Sequence, residues 1–353
     1  MEKQKKIKNI NKIIAKWILR ILHFAIIGVL PFLLVFFVVP HFCIAPTNYG
    51  ANVVTITTAE EFVDAINANS VLKASKKRFD LGNDIILDRG DLTRLNSIDN
   101  GMGEEGALLY GKFDGNGHTI KIDHTISKPI FKQIYGTICN LKIQCKDLDG
   151  TSEDVSQSCV LAETNYGIIS DIRLDINRIA LDGGRKNNVA GLVNNNLGTI
   201  RCCVVTVDLV SANAAFLSDE RVLGEWYSRF GAVATNNIGQ GIIEDVFVKV
   251  DFVDNFVVLT LAVYNMNGSR NMAIGAAIGF WGNKENINRV CIIDIKYAST
   301  LWDIVKLADG ETIDLKSEQQ ISKNDNNFEK WSKSIWEIEN GQLPQIAWHE
   351  ANV

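Results

Sequence analysis

Three stretches of the sequence share one pattern and decide the fold: YGTICNLKIQC (135–145), YGIISDIRLDI (166–176) and LGTIRCCVVTV (197–207). Their glycines, Gly136, Gly167 and Gly198, lie 31 residues apart, and apolar residues recur at every second position in the latter half of each stretch. A period of two predicts a β-strand with one buried face. One such strand at a fixed interval predicts a solenoid, in which the equivalent strands of successive coils stack on one another.

Two further copies follow at longer intervals, QGIIEDVFVKV (240–250) and the weaker KENINRVCIID (284–294), so we expect insertions between the later coils. The glycines should lie at tight corners with little room for a side chain. An asparagine ends the apolar run before three of the strands (Asn165, Asn196 and Asn237), and stacked asparagines can hydrogen-bond along a solenoid. Alignment of the first four copies predicts three buried columns: Leu141, Ile172, Cys203 and Val246; Ile143, Leu174, Val205 and Val248; Cys145, Ile176, Val207 and Val250.

The repeat resembles a known family. AGLVNNNLGTI (190–200) is similar to the GLUG repeat of bacterial surface proteins, with Ala190 and Asn194 in place of two glycines. FDGNGHTI (113–120) resembles the turn-then-strand segment common in bacterial β-helix proteins. The resemblance covers about residues 55–300 and implies an all-β fold, a right-handed parallel β-helix exposed at the cell surface. The family is functionally heterogeneous, so the resemblance implies no single activity.

The start of the chain predicts a membrane anchor. Residues 21–40 contain no Lys, Arg, Asp or Glu, and they are enough to cross a bilayer as a helix. Residues 1–20 carry seven Lys/Arg against one acid, which predicts a basic amphipathic segment on the cytoplasmic membrane surface. We expect a transmembrane anchor at 21–42, held by membrane lipid, with the body outside the cell. The alternative is a cleaved signal peptide and a secreted protein, which the long apolar run and Pro46 disfavour.

The remaining domain boundaries follow from these assignments. We predict a linker at 43–55, a β-helix repeat domain at 56–310 that opens with a short capping helix, and a linker and C-terminal cap at 311–353. The helix is predicted from a capping box at Thr57 and Glu60, or at Thr58 and Glu61. Tryptophan-rich short strands around the turn Asn340-Gly341 would suit a cap over the open end of the core.

The composition excludes several partners. Beyond residue 20 the chain holds 29 basic and 40 acidic residues, a net charge of −11, so we expect no nucleic-acid partner. The seven cysteines form no C-x-x-C pair, and we expect most to be small buried apolar side chains. His118 and His124, with Asp114 and Asp123, lack further ligands, so we predict no metal and no other cofactor.

One strand carries the first candidate binding residues: Asp171, Arg173 and Asp175 alternate on its predicted outer face, although a solvated face is the better explanation for them. The column of Arg173 turns from charged to apolar along the solenoid, since its later members are Val204 and Phe247. A bare apolar stripe is unfavourable on an exposed protein, so we expect an insertion, either 209–230 or 252–272, to cover it. Exposure of Val204 and Phe247 would instead indicate a partner site.

A second candidate is the tripeptide Arg89-Gly90-Asp91, the integrin-recognition sequence, on a predicted exposed turn. A chance occurrence is the competing explanation.

Three functions are compatible with this sequence. The first is a membrane-anchored extracellular binding or structural module that acts in adhesion or in glycan or protein interaction. The second is a carbohydrate-active enzyme, a polysaccharide lyase or hydrolase on a β-helix scaffold. The third is a subunit of a cell-envelope assembly. Nucleotide loops, serine nucleophile elbows and zinc-protease helices do not occur in the sequence, so we predict no catalytic residues and favour the first.

Overall fold

In the computed structural model the chain forms two compact units, residues 1–47 and 48–353. The structure describes residues 53–69, 77–100, 104–151, 157–181, 188–212, 228–252, 272–275, 278–281, 286–294, 312–315, 328 and 331–347, all in the second unit. The predicted basic segment and membrane anchor therefore lie outside the described residues. Within the described ranges, no helix combines the length and the hydrophobicity that crossing a bilayer requires.

The described part of the second unit is mostly β. Its N-terminal elements are β1 (Val53–Ile56), α1 (Ala59–Asn69), β2 (Arg78–Leu81), β3 (Ile85–Ile86), α2 (Arg89–Asn96), β4 (Leu108–Leu109), β5 (Lys112–Asp114) and β6 (Thr119–Ile126). The repeated coils follow with β7 (Phe131–Ile134), β8 (Thr137–Gly150), β9 (Gln157–Ser158), β10 (Ala162–Asn165), β11 (Ile168–Leu181), β12 (Asn188–Ala190), β13 (Val193–Asn196), β14 (Thr199–Ala212), β15 (Ser228–Gly231), β16 (Ala234–Asn237), β17 (Ile242–Phe252), β18 (Met272–Gly275), β19 (Ile278–Trp281) and β20 (Ile287–Asp294). The last strands are β21 (Thr312–Leu315), β22 (Trp336–Glu337) and β23 (Gln345–Ile346).

The strands stack as parallel sheets in a β-helix-like arrangement. The largest sheet has the order β1-β2-β5-β8-β11-β14-β17-β20-β21, with β3 and β6 attached through β8. A second sheet runs β19-β16-β13-β10-β7-β4, and a third runs β18-β15-β12-β9. In the repeated region each coil therefore contributes one strand to each sheet, as the sequence repeat predicts. Among the described pairs, β22 with β23 is antiparallel.

The register confirms the predicted columns. Ile172 pairs with Leu141, and Leu174 pairs with both Ile143 and Val205. Val205 pairs in turn with Val248, and the weakest copy joins the series because Val290 pairs with Val246. The members of the three columns are buried in one continuous core.

The repeated glycines lie at tight corners with no room for a side chain, as the repeat predicts. A Cβ on Gly167 would collide with the carbonyl oxygen of Gly136 in the preceding coil, and a Cβ on Gly136 would collide with that of Gly111. The predicted asparagine ladder is also present: Asn165 Nδ2 donates to Asn196 Oδ1 at 2.8 Å, and Asn196 Nδ2 donates to Asn237 Oδ1 at 2.8 Å. The ladder is buried, so its amides satisfy one another where water does not reach.

Helix α1 covers the apolar side chains of the first coils. Thr58 is its cap, since the Thr58 hydroxyl accepts a hydrogen bond from the backbone N–H of Glu61 at 3.2 Å, while the Glu61 carboxylate accepts from the backbone of Thr57 at 2.7 Å. Phe62 packs edge-on against Phe113 with ring centroids 5.5 Å apart. Helix α1 thus closes the same core that the strands form.

Candidate functional site

The predicted binding residues Arg173 and Asp175 lie together on the outer face of β11. Arg173 Nε is 2.9 Å from Asp175 Oδ2, and Arg173 Nη1 donates to Gln345 of β23. The other Asp175 oxygen accepts a hydrogen bond from the Thr206 hydroxyl of the next coil at 2.6 Å. Both side chains are half-buried and held by protein contacts.

Asp171 occupies a different kind of position. Its φ of 56° is left-handed, and residues in register with it repeat this: Asn140 (52°), Cys202 (53°) and Asp245 (53°). Simple strand alternation is therefore interrupted at Asp171, because the backbone bends there and the ladder passes over the residue. Asparagine and aspartate tolerate this conformation better than most residues, which accounts for three of the four side chains.

The apolar stripe of Val204 and Phe247 is covered, as predicted. Both residues are fully buried, and the register places them beside each other in the column of Arg173. They form a second apolar cluster, separate from the main core, whose members are Cys202, Val204, Phe247, Phe328, Trp331, Trp336 and Ile346. Burial in this cluster removes Val204 and Phe247 from contact with an outside partner.

The cover comes from the C-terminal hairpin segment, residues 331–347, which contains β22 and β23. Trp331 and Trp336 lie in contact, with ring centroids 4.5 Å apart. The paired short strands predicted here are present, but they lie on the outer face of β11, β14 and β17, so their predicted place over the open end of the core is wrong. Packing of this aromatic segment against the stripe removes the apolar surface of both from water, which stabilises the arrangement.

The two insertions that were expected to cover the stripe fall largely outside the described residues. Residues 213–227 and 253–271 are not among the described residues. The prediction that one of the two insertions packs on the stripe therefore stays a prediction.

The tripeptide Arg89-Gly90-Asp91 forms the first helical turn of α2. The prediction that it lies in a non-helical turn is therefore wrong. Asp88 is the cap: its carboxylate accepts from the backbone N–H of Asp91 at 2.8 Å, and the Asp91 carboxylate accepts from the backbone N–H of Asp88 at 3.1 Å. Leu92 is buried and holds the turn against the body. The reason is the reciprocal capping box, a helix signal that outweighs the turn tendency of glycine here.

Among the described residues, the Cys139 thiol and the Asp114 carboxylate are buried groups whose surroundings set their protonation. Burial raises the pKa of Cys139 to about 12, so the thiol is protonated at neutral pH and is no nucleophile. Burial would raise the pKa of the neighbouring Asp114, but hydrogen bonds from Lys112 at 2.7 Å and Asn140 at 3.0 Å outweigh it and lower that pKa. Within the described ranges no group of three or more His, Cys, Asp or Glu residues could hold a metal ion.

A surface that the sequence analysis did not identify lies at the corner between the second sheet and the largest sheet. Tyr110, Tyr135 and Tyr166 stack in parallel, with successive ring centroids 5.0 Å apart and interplanar angles of 7° and 6°. Tyr166 is 42% exposed, and the other two are half-buried. The sequence contains a pattern that could have predicted this stack. Tyr135 and Tyr166 begin the first two repeats and, like Tyr110, directly precede a corner glycine.

A row of uncharged polar side chains accompanies the tyrosines on the second sheet, in the register Gln133, Thr164, Asn195 and Asn236. The rows touch, since the Tyr135 hydroxyl donates to Gln133 Oε1 at 2.6 Å. Asn236 Nδ2 donates to Asn195 Oδ1 at 2.9 Å along the row. We name the two rows together the tyrosine–amide face: Tyr110, Tyr135, Tyr166, Gln133, Thr164, Asn195 and Asn236.

Comparison with known proteins assigns the chain to no family. No protein-family profile matches the sequence, so the GLUG resemblance stays an interpretation of the repeats. No curated protein matches it either. Among solved structures, a proposed immunoglobulin A1 protease from Bacteroides ovatus is similar, with 13% identity, a TM-score of 0.42 and coverage of 84% of this chain and 92% of that one. Similarity at this level carries no functional argument.

Proposed function

We propose that this chain is a binding module of the cell surface, held by its N-terminal anchor, and that its tyrosine–amide face binds an extended polymer running along the coils. The observation that supports this is repetition. The tyrosine row spans three successive coils and the polar row spans four, and both rows are present on the coils of Tyr135 and Tyr166. A linear partner with its own repeat would therefore meet similar contacts from coil to coil.

The alternative functions lack a comparable observation. An enzyme on this scaffold would need convergent acid, base or nucleophilic groups. In the described residues, Arg173 pairs with Asp175, Asp114 is held by several donors and the Cys139 thiol is protonated. The binding proposal depends on the exposed Tyr166 and on the half-buried Tyr110, Tyr135, Gln133 and Asn195, because Thr164 and Asn236 of the face are buried.

The test is a binding measurement on the full chain in detergent micelles against immobilised polysaccharides and extracellular-matrix proteins. The proposal predicts saturable binding to at least one polymer, without release of shorter products. Release of new reducing ends would favour a carbohydrate-active enzyme instead. Absence of saturable binding across the panel would overturn the proposal.

A further inference from the structure

Three polar groups on the tyrosine–amide face point to a ligand. The hydroxyls of Tyr110 and Tyr166 and the Nε2 amide of Gln133 have no hydrogen-bond partner among the described residues. All three belong to side chains that are half-buried or exposed, so solvent or a ligand can reach them. They lie on successive coils of one corner, next to aromatic rings that also offer apolar surface.

The chemistry of these groups matches hydroxyls. A tyrosine hydroxyl both donates and accepts, and an amide side chain carries donors and acceptors on adjacent atoms. Sugar hydroxyls have the same dual character. Because the three rings stack on one another, a chain running along the coils would meet their edges and their hydroxyl tips.

The charge of the face argues against an ionic partner. Its seven residues are all uncharged. The basic group beside it, Lys132, is already paired with Glu163 at 2.6 Å and lies 3.7 Å from Glu104. An anionic polymer would need the arginine or lysine contacts that bind carboxylate or sulfate, and the body as a whole is acidic.

The spacing of the face fits an extended sugar chain. Successive tyrosines are 5.0 Å apart, which is the separation of neighbouring strands in a sheet. One pyranose unit of an extended β-linked polysaccharide has about this length. A chain lying along the coils would thus place one sugar on each coil without bending.

From these observations, and resting on the proposed function, we infer that the ligand of the tyrosine–amide face is an uncharged, extended β-linked polysaccharide that runs parallel to the stack of coils. Tyr166, the most exposed ring, and Gln133, whose side chain is half-buried, supply the central contacts.

The experiment measures the affinity of the full chain in detergent micelles for soluble β-1,4-glucan, β-1,4-mannan and β-1,4-xylan, with polygalacturonate and chondroitin sulfate as charged polymers. Two conservative variants are compared with the parent chain. Tyr166→Phe keeps the stacked ring and removes the hydroxyl. Gln133→Glu keeps the oxygen that accepts from Tyr135 and removes the amide donor. The control is Ile86→Ala, an exposed apolar side chain outside both rows.

We expect one neutral polymer to bind, each face variant to weaken binding by about fivefold or more, which is about 1 kcal/mol, and Ile86→Ala to bind as the parent does. Preference for a charged polymer would overturn the ligand class while leaving the proposed function standing. Unchanged affinity in both face variants would overturn the site, again without removing the binding function. Failure to bind every polymer and matrix protein would overturn both proposals.

Discussion

Single buried residues help to set the register of the coils. Buried asparagines pass a hydrogen bond from coil to coil: Asn165 donates to Asn196, and Asn196 donates to Asn237. The last amide ends the series by donating to the carbonyl oxygen of Gly241 at 2.9 Å. Since each buried amide is satisfied by its neighbour, a shift of one coil against the next would leave several polar groups unpaired.

Removal of the central asparagine should therefore be costly. Asn196→Ala leaves Asn165 Nδ2 and Asn237 Oδ1 buried without these partners, and we expect the free energy of unfolding to fall by about 2–5 kcal/mol. Urea denaturation followed by circular dichroism measures this. Asn83→Ala, at an exposed asparagine, is the control and should change stability by less than about 0.5 kcal/mol. Equal losses in the two variants would contradict a structural ladder.

The buried thiols give the body a pH dependence. Burial raises the pKa of Cys145 to about 12, whereas the thiol of an unfolded chain titrates near about 8.5. Between these values the unfolded chain loses the proton and the folded chain keeps it, so the free energy of unfolding falls as the pH rises, by up to about 1.4 kcal/mol per pH unit for this thiol.

We therefore predict that stability declines between pH 8.5 and 10.5, and that Cys145→Ala declines less steeply than the parent chain. Denaturant titrations at several pH values give both slopes. The difference in slope, not the stability at one pH, is the test, because Cys145→Ala also loses packing. Identical slopes would show that the Cys145 thiol ionises in the folded chain as it does in the unfolded one.

Among the elements, the C-terminal hairpin segment lies at a position that the sequence did not predict. Its side chains complete an apolar cluster on the outside of a sheet whose inner face is already packed. The indole N–H groups of Trp331 and Trp336 are buried, and none of the described residues accepts from them. Each such group costs about 1–3 kcal/mol, so the apolar contacts hold the segment against an opposing polar cost.

This balance predicts different outcomes for two substitutions of one residue. Trp336→Ala removes a buried aromatic ring, and we expect the segment to detach and expose the Cys202 thiol beneath it. Trp336→Phe keeps a ring and removes the unpaired N–H, so the segment should stay in place. Maleimide labelling with mass spectrometry should show at least about tenfold faster modification of Cys202 in Trp336→Ala alone.

The internal control is Cys145, which lies in the main core and not under the segment. Faster modification of Cys145 together with Cys202 would mean that the whole body unfolds, and would contradict a local detachment.

At the scale of the whole molecule, the charge distribution separates two parts of the chain. Seven basic residues precede the apolar stretch, and the chain beyond residue 20 is acidic, with a net charge of −11. We propose that the basic side stays at the anionic inner leaflet while the acidic body is exported, in agreement with the positive-inside rule.

Membrane extraction tests this arrangement. Alkaline carbonate should leave the full chain in the membrane pellet and release a variant that lacks residues 1–42. Protease added outside intact cells should digest the body and spare the N-terminal segment. A shortened chain in the culture medium would contradict an uncleaved anchor and favour a signal peptide.

The sequence by itself determined the repeated strand, its buried columns, its corner glycines and the asparagine ladder. Each of these depends on residues at a fixed spacing, and stacking brings equal positions of successive coils together. It also showed that the stripe of Val204 and Phe247 needs a cover, because two apolar side chains at outer positions would otherwise meet water.

Only the tertiary structure decided which segment covers that stripe, which backbone conformation Asp171 adopts and where the tyrosine–amide face lies. Trp331 and Trp336, which cover the stripe, are distant in sequence from Val204 and Phe247. A local sequence pattern does not predict which distant apolar segment packs on a given surface. The left-handed φ of Asp171 depends on a bend shared by several coils. The face exists because coiling aligns Tyr110, Tyr135 and Tyr166 at one corner, where separate tyrosines become a stack.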